Sequence, residues 1–218
     1  MVRVIVVHGQ ECSPTADWVS DFETKMKHHL ADNVSFHYPP YVEEYGIRMW
    51  HPYTPKGEKY DHSHRAVTYH NYIGTTAKDV WDELDKLTEK NEKFAVVAIS
   101  NGGAVGFEAS LYDRCVGVLF VSSVPVLSQQ WRHENVKCPT GFYHGTWDTW
   151  YFGGHSTVKG VAEAMGAAWF EFDGNHSTFE ERGIADTLCK LMNADTSGDS
   201  RSIKRQRLDC CSNLFSIT

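Results

Sequence analysis

The chain has 218 residues, of which 41% are hydrophobic and 22% charged, and its formal net charge is −7. This length predicts a single globular domain whose core is large enough to fold without disulfide or metal crosslinks. The acidic balance argues against nucleic-acid binding, and no apolar run reaches the roughly 18 residues that a membrane span needs.

The amino-terminal residues 2–7 form a short, β-branched run that predicts a buried strand rather than a secretory signal. Ser13-Pro14 is then expected to open a helix, with Ser13 as the N-cap. Its apolar stripe is expected at every fourth position: Trp18, Phe22, Met26 and Leu30. The six cysteines are scattered without a CxxC pair, which predicts free thiols and a cytoplasmic location.

Strand-like and helix-like segments alternate along most of the chain. Further strands are predicted at 34–38, 94–99, 116–121, 141–144 and 168–172, and further helices at 75–90, 102–113, 156–166 and 179–192. This alternation predicts an α/β protein, a three-layer α/β/α sandwich around a mostly parallel sheet of about six strands. In such sheets, functional residues gather at the carboxyl ends of the strands.

Two segments depart from the alternation, so we expect one domain over 1–193 and a mobile tail over 194–218. Residues 39–74 are rich in aromatic side chains and are expected to form either a partial lid or a second small core. Within them, Asp61-His62-Ser63-His64 has an H-x-H spacing, but a solvated loop is favoured over a metal site. In the tail, Cys210-Cys211 follows a basic run and is compatible with lipidation, although an unanchored, flexible chain end is favoured.

A serine lies where the predicted strand 94–99 gives way to a helix. The segment from Ala98 to Gly103 reads Ala-Ile-Ser-Asn-Gly-Gly, which approximates the nucleophile elbow G-x-S-x-G with Ala98 in place of the first glycine. Small neighbours are needed in such a turn because strand and helix approach closely around the serine. Ser100 is therefore a candidate nucleophile, and a plain tight turn or an anion nest is the alternative.

Two further candidates follow the next strand ends in the order that a catalytic triad on this kind of sheet requires. Asp148 follows the strand at 141–144, and His176 follows the strand at 168–172. In a triad the histidine moves the serine proton, while the carboxylate orients and stabilises the imidazole. The alternatives are an Asx-turn residue for Asp148 and a loop histidine for His176. Asp173 is too near His176 in sequence to reach the back of its ring easily.

The turn after the first strand completes the candidate site. An oxyanion hole needs two backbone N–H groups, and we expect them from Gln10 and Asn101. An ordinary β–α turn is the alternative. The substrate pocket is predicted to include Cys12, Trp50 and Trp147, although Cys12 is also compatible with a small buried hydrophobe.

These motifs resemble those of the α/β-hydrolase superfamily in its small, cap-less form. The likeness covers residues 2 to about 192 and is most similar to the phospholipase/carboxylesterase branch, which includes acyl-protein thioesterases, and to the FSH-type serine hydrolases. The motifs that carry it are His8-Gly9, Ser100-Asn-Gly-Gly-Ala104, His144-Gly-x-x-Asp148, Gly174-Asn-His176 and Gly46-Ile-Arg48-Met-Trp50.

The resemblance implies a strand order of 2-1-3-4-5-6 with Ser100 at the middle of the sheet, and no metal or organic cofactor. It implies a serine carboxylester hydrolase, an esterase, lipase or thioesterase, that acts on small or medium acyl esters through an acyl-enzyme. The expected partner is a small-molecule ester or thioester, with no nucleic acid and no membrane span. The alternative is a catalytically silent hydrolase fold that binds a ligand or a protein.

Overall fold

A computed structural model of the chain describes residues 2–30, 33–39, 41–43, 46–48, 50, 77–123, 136–150 and 154–193. Its strands are β1 (Arg3–Val7), β2 (Val34–His37), β3 (Tyr41–Val42), β4 (Ile47–Arg48), β5 (Phe94–Ile99), β6 (Cys115–Val121), β7 (Thr140–Gly145) and β8 (Ala168–Phe172). Six of these strands form one sheet in the order β2-β1-β5-β6-β7-β8, and every neighbouring pair in it is parallel. This confirms the predicted strand order, in which β5 stands third.

Helices cover both faces of this sheet. They are α1 (Asp17–Leu30), α2 (Ala77–Lys86), α3 (Gly103–Ser110), α4 (Gly154–Ala164) and α5 (Glu181–Asn193). Residues of α1 and α5 belong to one core cluster, and residues of α2, α3 and α4 to the other. Alternate residues of β1 enter the two clusters, because successive side chains of a strand point to opposite faces. The three-layer α/β/α architecture is therefore confirmed.

Helix α1 differs in detail from its prediction. It begins at Asp17, because the Ser13 side chain bonds the backbone N–H (3.4 Å) and hydroxyl (2.9 Å) of Thr15 in a separate turn. Trp18 is 59% exposed, whereas Val19 is fully buried. A strict four-residue spacing drifts by about 40° per step around a helix with 3.6 residues per turn, so Trp18 leaves the core-facing side.

The segment 39–74 begins with a small antiparallel hairpin. Strands β3 and β4 pair Tyr41 with Arg48, and the Arg48 carbonyl accepts the backbone N–H of Glu11 at 2.8 Å. This bond ties the hairpin to the loop that follows β1. Residues 51–76 lie outside the described part of the chain, so the lid and the second core remain predictions, as does the boundary at 193 with its tail.

Two observations concern the helices and the cysteines. In the described ranges, no helix is long and apolar enough to cross a membrane. The cysteines within these ranges are free thiols, namely Cys12, Cys115, Cys138 and Cys189. The core of this part of the chain is therefore held by packing and hydrogen bonds.

Candidate active site

Ser100 occupies a strained turn at the carboxyl end of β5. Its φ is 49°, in the left-handed region, and it opens a 3₁₀ turn that runs directly into α3. A residue with a Cβ is disfavoured there by roughly 1–2 kcal/mol. The buried Ser123, just past β6, donates its hydroxyl hydrogen to the Ser100 carbonyl at 2.5 Å. The surrounding structure thus holds the serine in a conformation that an isolated turn would leave.

The structure explains why Ala98 is tolerated in place of the elbow's first glycine. A Cβ added to Gly106 of α3 would lie 2.6 Å from the Cβ of Ala98, closer than two such atoms approach in proteins. The helix therefore carries a glycine at this contact, where the strand has alanine. Gly106 leaves room for the methyl group of Ala98, so β5 and α3 can pack closely.

Ser100, His176 and Asp148 form one hydrogen-bonded chain. Oγ of Ser100 lies 2.8 Å from Nε2 of His176, and Nδ1 of His176 lies 2.9 Å from Oδ2 of Asp148. An ionised carboxylate only accepts, so Nδ1 carries the hydrogen and Nε2 accepts from the serine. The Asp148 side chain is fully buried, and its Oδ1 accepts the backbone N–H of Trp150 at 3.0 Å. The structure thus brings three residues from three strand ends together.

Electrostatics keep Asp148 in the form that this chain requires. Burial alone raises the pKa of Asp148, but the hydrogen bonds from His176 and from the Trp150 backbone, with the charges of the neighbouring histidines, outweigh it. The net effect lowers the pKa below its ordinary value. The carboxylate is therefore ionised at neutral pH and accepts from the imidazole.

A second histidine adjoins the same carboxylate, a feature that sequence analysis treated only as part of a motif. Nε2 of His144 lies 3.7 Å from Oδ2 of Asp148, and the residue is 1% exposed. Burial lowers the pKa of His144 to about 4, so its ring is neutral at neutral pH. The spacing of four residues between His144 and Asp148 was the available signal, because β7 ends between them.

The loop after β1 packs directly against the serine. A Cβ on Gly9 would lie 2.9 Å from the Cβ of Ser100, so only glycine fits there. Trp50 fastens this loop to the elbow. Its indole N–H donates to the His8 carbonyl at 2.8 Å, and its backbone N–H donates to Oδ1 of Asn101 at 2.9 Å. The two expected oxyanion donors, Gln10 and Asn101, thus belong to segments joined by one buried residue, Trp50.

A cavity of about 600 Å³ opens beside Ser100 and His176. Gln10, an expected oxyanion donor, and Cys12, an expected pocket residue, are among the residues that line it, and Cys12 is 5% exposed. Burial raises the pKa of Cys12 to about 11, so its thiol is protonated and a poor nucleophile. Cys12 therefore contributes packing to the wall.

Two of the expected pocket residues lie elsewhere. Trp50 is the buried clamp behind the loop, and Trp147 is 70% exposed with its indole N–H donating to Asp173 at 2.8 Å. Trp150 lines the cavity instead and stacks on the His176 ring, with centroids 5.1 Å apart. Asp173 accepts from Trp147, whereas Asp148 accepts from His176. Near-neighbouring tryptophans on one loop point in different directions, which local sequence does not reveal.

Among the residues that the structure describes, no group of three or more His, Cys, Asp or Glu side chains is arranged to hold a metal ion. The segment from Asp61 to His64, which has the H-x-H spacing, lies outside those residues.

Comparisons with known proteins agree on the fold. No family model matches the chain, and no curated protein matches it either. Esterase PE8 is similar at a TM-score of 0.60 and 15% identity, over 87% of this chain and 92% of its own. The Bacillus cereus carboxylesterase is similar at a TM-score of 0.52 and 12% identity, over 87% of this chain and 88% of its own. Mouse alpha/beta hydrolase domain-containing protein 10 is similar at a TM-score of 0.50 and 13% identity, over 86% of this chain and 87% of its own. The chain has the α/β-hydrolase fold, which confirms the fold that the motifs implied.

Proposed function

We propose that the protein is a serine hydrolase of carboxylic esters or thioesters that acts through an acyl-enzyme. The observation that carries the proposal is the hydrogen-bonded chain Ser100–His176–Asp148 beside a cavity. Similarity to proteins named esterase and carboxylesterase supports the same reaction class. The free cysteines support a reducing, cytoplasmic compartment.

Acylation begins when Nε2 of His176 takes the hydroxyl proton of Ser100 as Oγ attacks the carbonyl carbon. The carbonyl oxygen becomes an oxyanion, which the backbone N–H groups of Gln10 and Asn101 stabilise. Asp148 stabilises the imidazolium that forms. The tetrahedral intermediate then collapses, and the alcohol or thiol leaves with the proton from Nε2.

Deacylation repeats these steps with water as the nucleophile. His176 takes a proton from water, hydroxide adds to the acyl carbon, and Ser100 leaves with the proton returned.

The Trp50 clamp favours this chemistry because it fixes the two donor segments before substrate arrives, so little reorganisation is needed in the transition state. A cavity of about 600 Å³ suits small or medium acyl groups.

The test is labelling with a fluorophosphonate probe at neutral pH, beside turnover of a p-nitrophenyl ester series of increasing acyl length. Wild-type protein is expected to be labelled and active, Ser100→Ala to be neither, and Asp148→Asn to lose about 10⁴-fold in kcat. Thermal unfolding establishes that each variant is folded. A folded wild-type protein that neither labels nor turns over any ester would refute the proposal and favour a binding module.

A further inference from the structure

The mouth of the cavity carries negative charge. Glu11 and Glu181 line it, and the described lining residues include no lysine or arginine. The backbone of Glu11 has a φ of 60° and is anchored by its N–H, which donates to the Arg48 carbonyl at 2.8 Å. Lys25 lies 3.8 Å from Glu181, but it lies closer, at 2.6 Å, to Asp21. The three carboxylates outnumber the one lysine, so the net charge of this group is negative.

Apolar and aromatic side chains form much of the remaining wall, beside polar residues that include Gln10, Ser100 and His176. Phe22 and Ile99 are buried at the inner end, and the rings of Phe22 and Phe179 meet edge to face at 6.2 Å. Trp18 and Trp150 line the same cavity but are 59% and 49% exposed, so they stand toward its opening. The cavity thus passes from an apolar interior to an opening with two indole rings and two carboxylates.

The lining affects apolar, anionic and cationic groups of a substrate differently. An apolar group gains free energy by displacing water from the inner wall. At the opening, carboxylates repel an anionic group, and the electron-rich faces of tryptophan attract a cationic one. Phosphate-bearing or carboxylate-bearing leaving groups meet no described cation in the lining that would compensate them.

We infer that the cavity takes esters and thioesters with an apolar acyl part and a neutral or cationic remainder, and that it rejects anionic ones. This inference rests on the proposed function and narrows it. Thioesters whose thiol carries several phosphates are disfavoured, whereas uncharged and alkylammonium esters are favoured.

Three thiobutyrates with the same acyl group test the inference. Their thiols end in a trimethylammonium group, in the isosteric tert-butyl group, or in a sulfonate, and the released thiol is measured. At low salt, the sulfonate substrate is expected to have a kcat/KM on the order of tenfold below the tert-butyl substrate. The ammonium substrate is expected to equal or exceed the neutral one. Raising the ionic strength is expected to narrow the difference, because salt screens exposed charges.

Variants assign the effect to particular carboxylates. The double variant Glu11→Gln, Glu181→Gln is expected to remove most of the difference between the sulfonate and tert-butyl substrates. Glu163→Gln, on α4 at the opposite face of the sheet, is the control for a charge removed elsewhere and is expected to leave that difference as it is.

Two results separate the inference from the proposed function. Equal kcat/KM for the anionic and neutral substrates, or a difference that the double variant leaves unchanged, would overturn the charge selection while hydrolysis stands. Absence of turnover for all three substrates, together with no labelling of Ser100, would overturn the proposed function itself.

Discussion

The strained backbone of Ser100 leads to a prediction with an unusual sign. Ser100→Ala and Ser100→Gly both remove the hydroxyl and its hydrogen bond to His176, so they differ only in the Cβ. In ordinary conformations glycine is less stable than alanine by roughly 0.5–1 kcal/mol. At a φ of 49° the Cβ itself costs about 1–2 kcal/mol. We therefore expect Ser100→Gly to be the more stable variant by about 1 kcal/mol.

Thermal and urea unfolding measure this difference. For a domain of this size, 1 kcal/mol corresponds to about 2–4 °C in Tm. The matched control is Ser20, an exposed residue within α1, where alanine is expected to be the more stable of the same pair. If Ser100→Gly is no more stable than Ser100→Ala, the strain assigned to the elbow is wrong. Both Ser100 variants are expected to be inactive.

Three further predictions concern packing and pH. Gly106→Ala is expected to lower the free energy of unfolding, measured in urea, by about 2 kcal/mol, because the new methyl group meets the Cβ of Ala98. Adding Ala98→Gly in the same chain should restore part of the lost stability. A loss that the second substitution does not reduce would contradict this contact. Burial raises the pKa of Glu108 to about 7, so the stability of the folded protein decreases as pH rises from 4.5 through 7. Glu108→Gln should lack this decrease and gain on the order of 1–3 kcal/mol at pH 8 in urea unfolding, and equal curves would contradict it. Burial lowers the pKa of His144 to about 4, so the free energy of unfolding decreases as pH falls from 6.5 to 4. We expect His144→Phe to make this decrease smaller when unfolding is measured against pH. An unchanged decrease in the variant would refute the assignment.

Much of the fold follows from local sequence. The β-branched runs at β1 and β5 predict strands buried on both faces, and strands that alternate with helices form parallel sheets. The carboxyl ends of such strands share one edge of the sheet, so Ser100, Asp148 and His176 are expected near one another although they are far apart in the chain. They lie in one hydrogen-bonded chain in the structure.

Tertiary packing decided the features that depend on a partner from a distant segment. Sequence shows Ala98 as a departure from the elbow pattern, but only the docking of α3 places Gly106 opposite it. Trp50 reads as a pocket aromatic, yet its two N–H groups find acceptors on the loops around Ser100. Periodicity states which side of its own element a residue faces. Which surface meets that side depends on how distant elements pack, and in this protein that packing formed the clamp, the cavity wall and the strained serine.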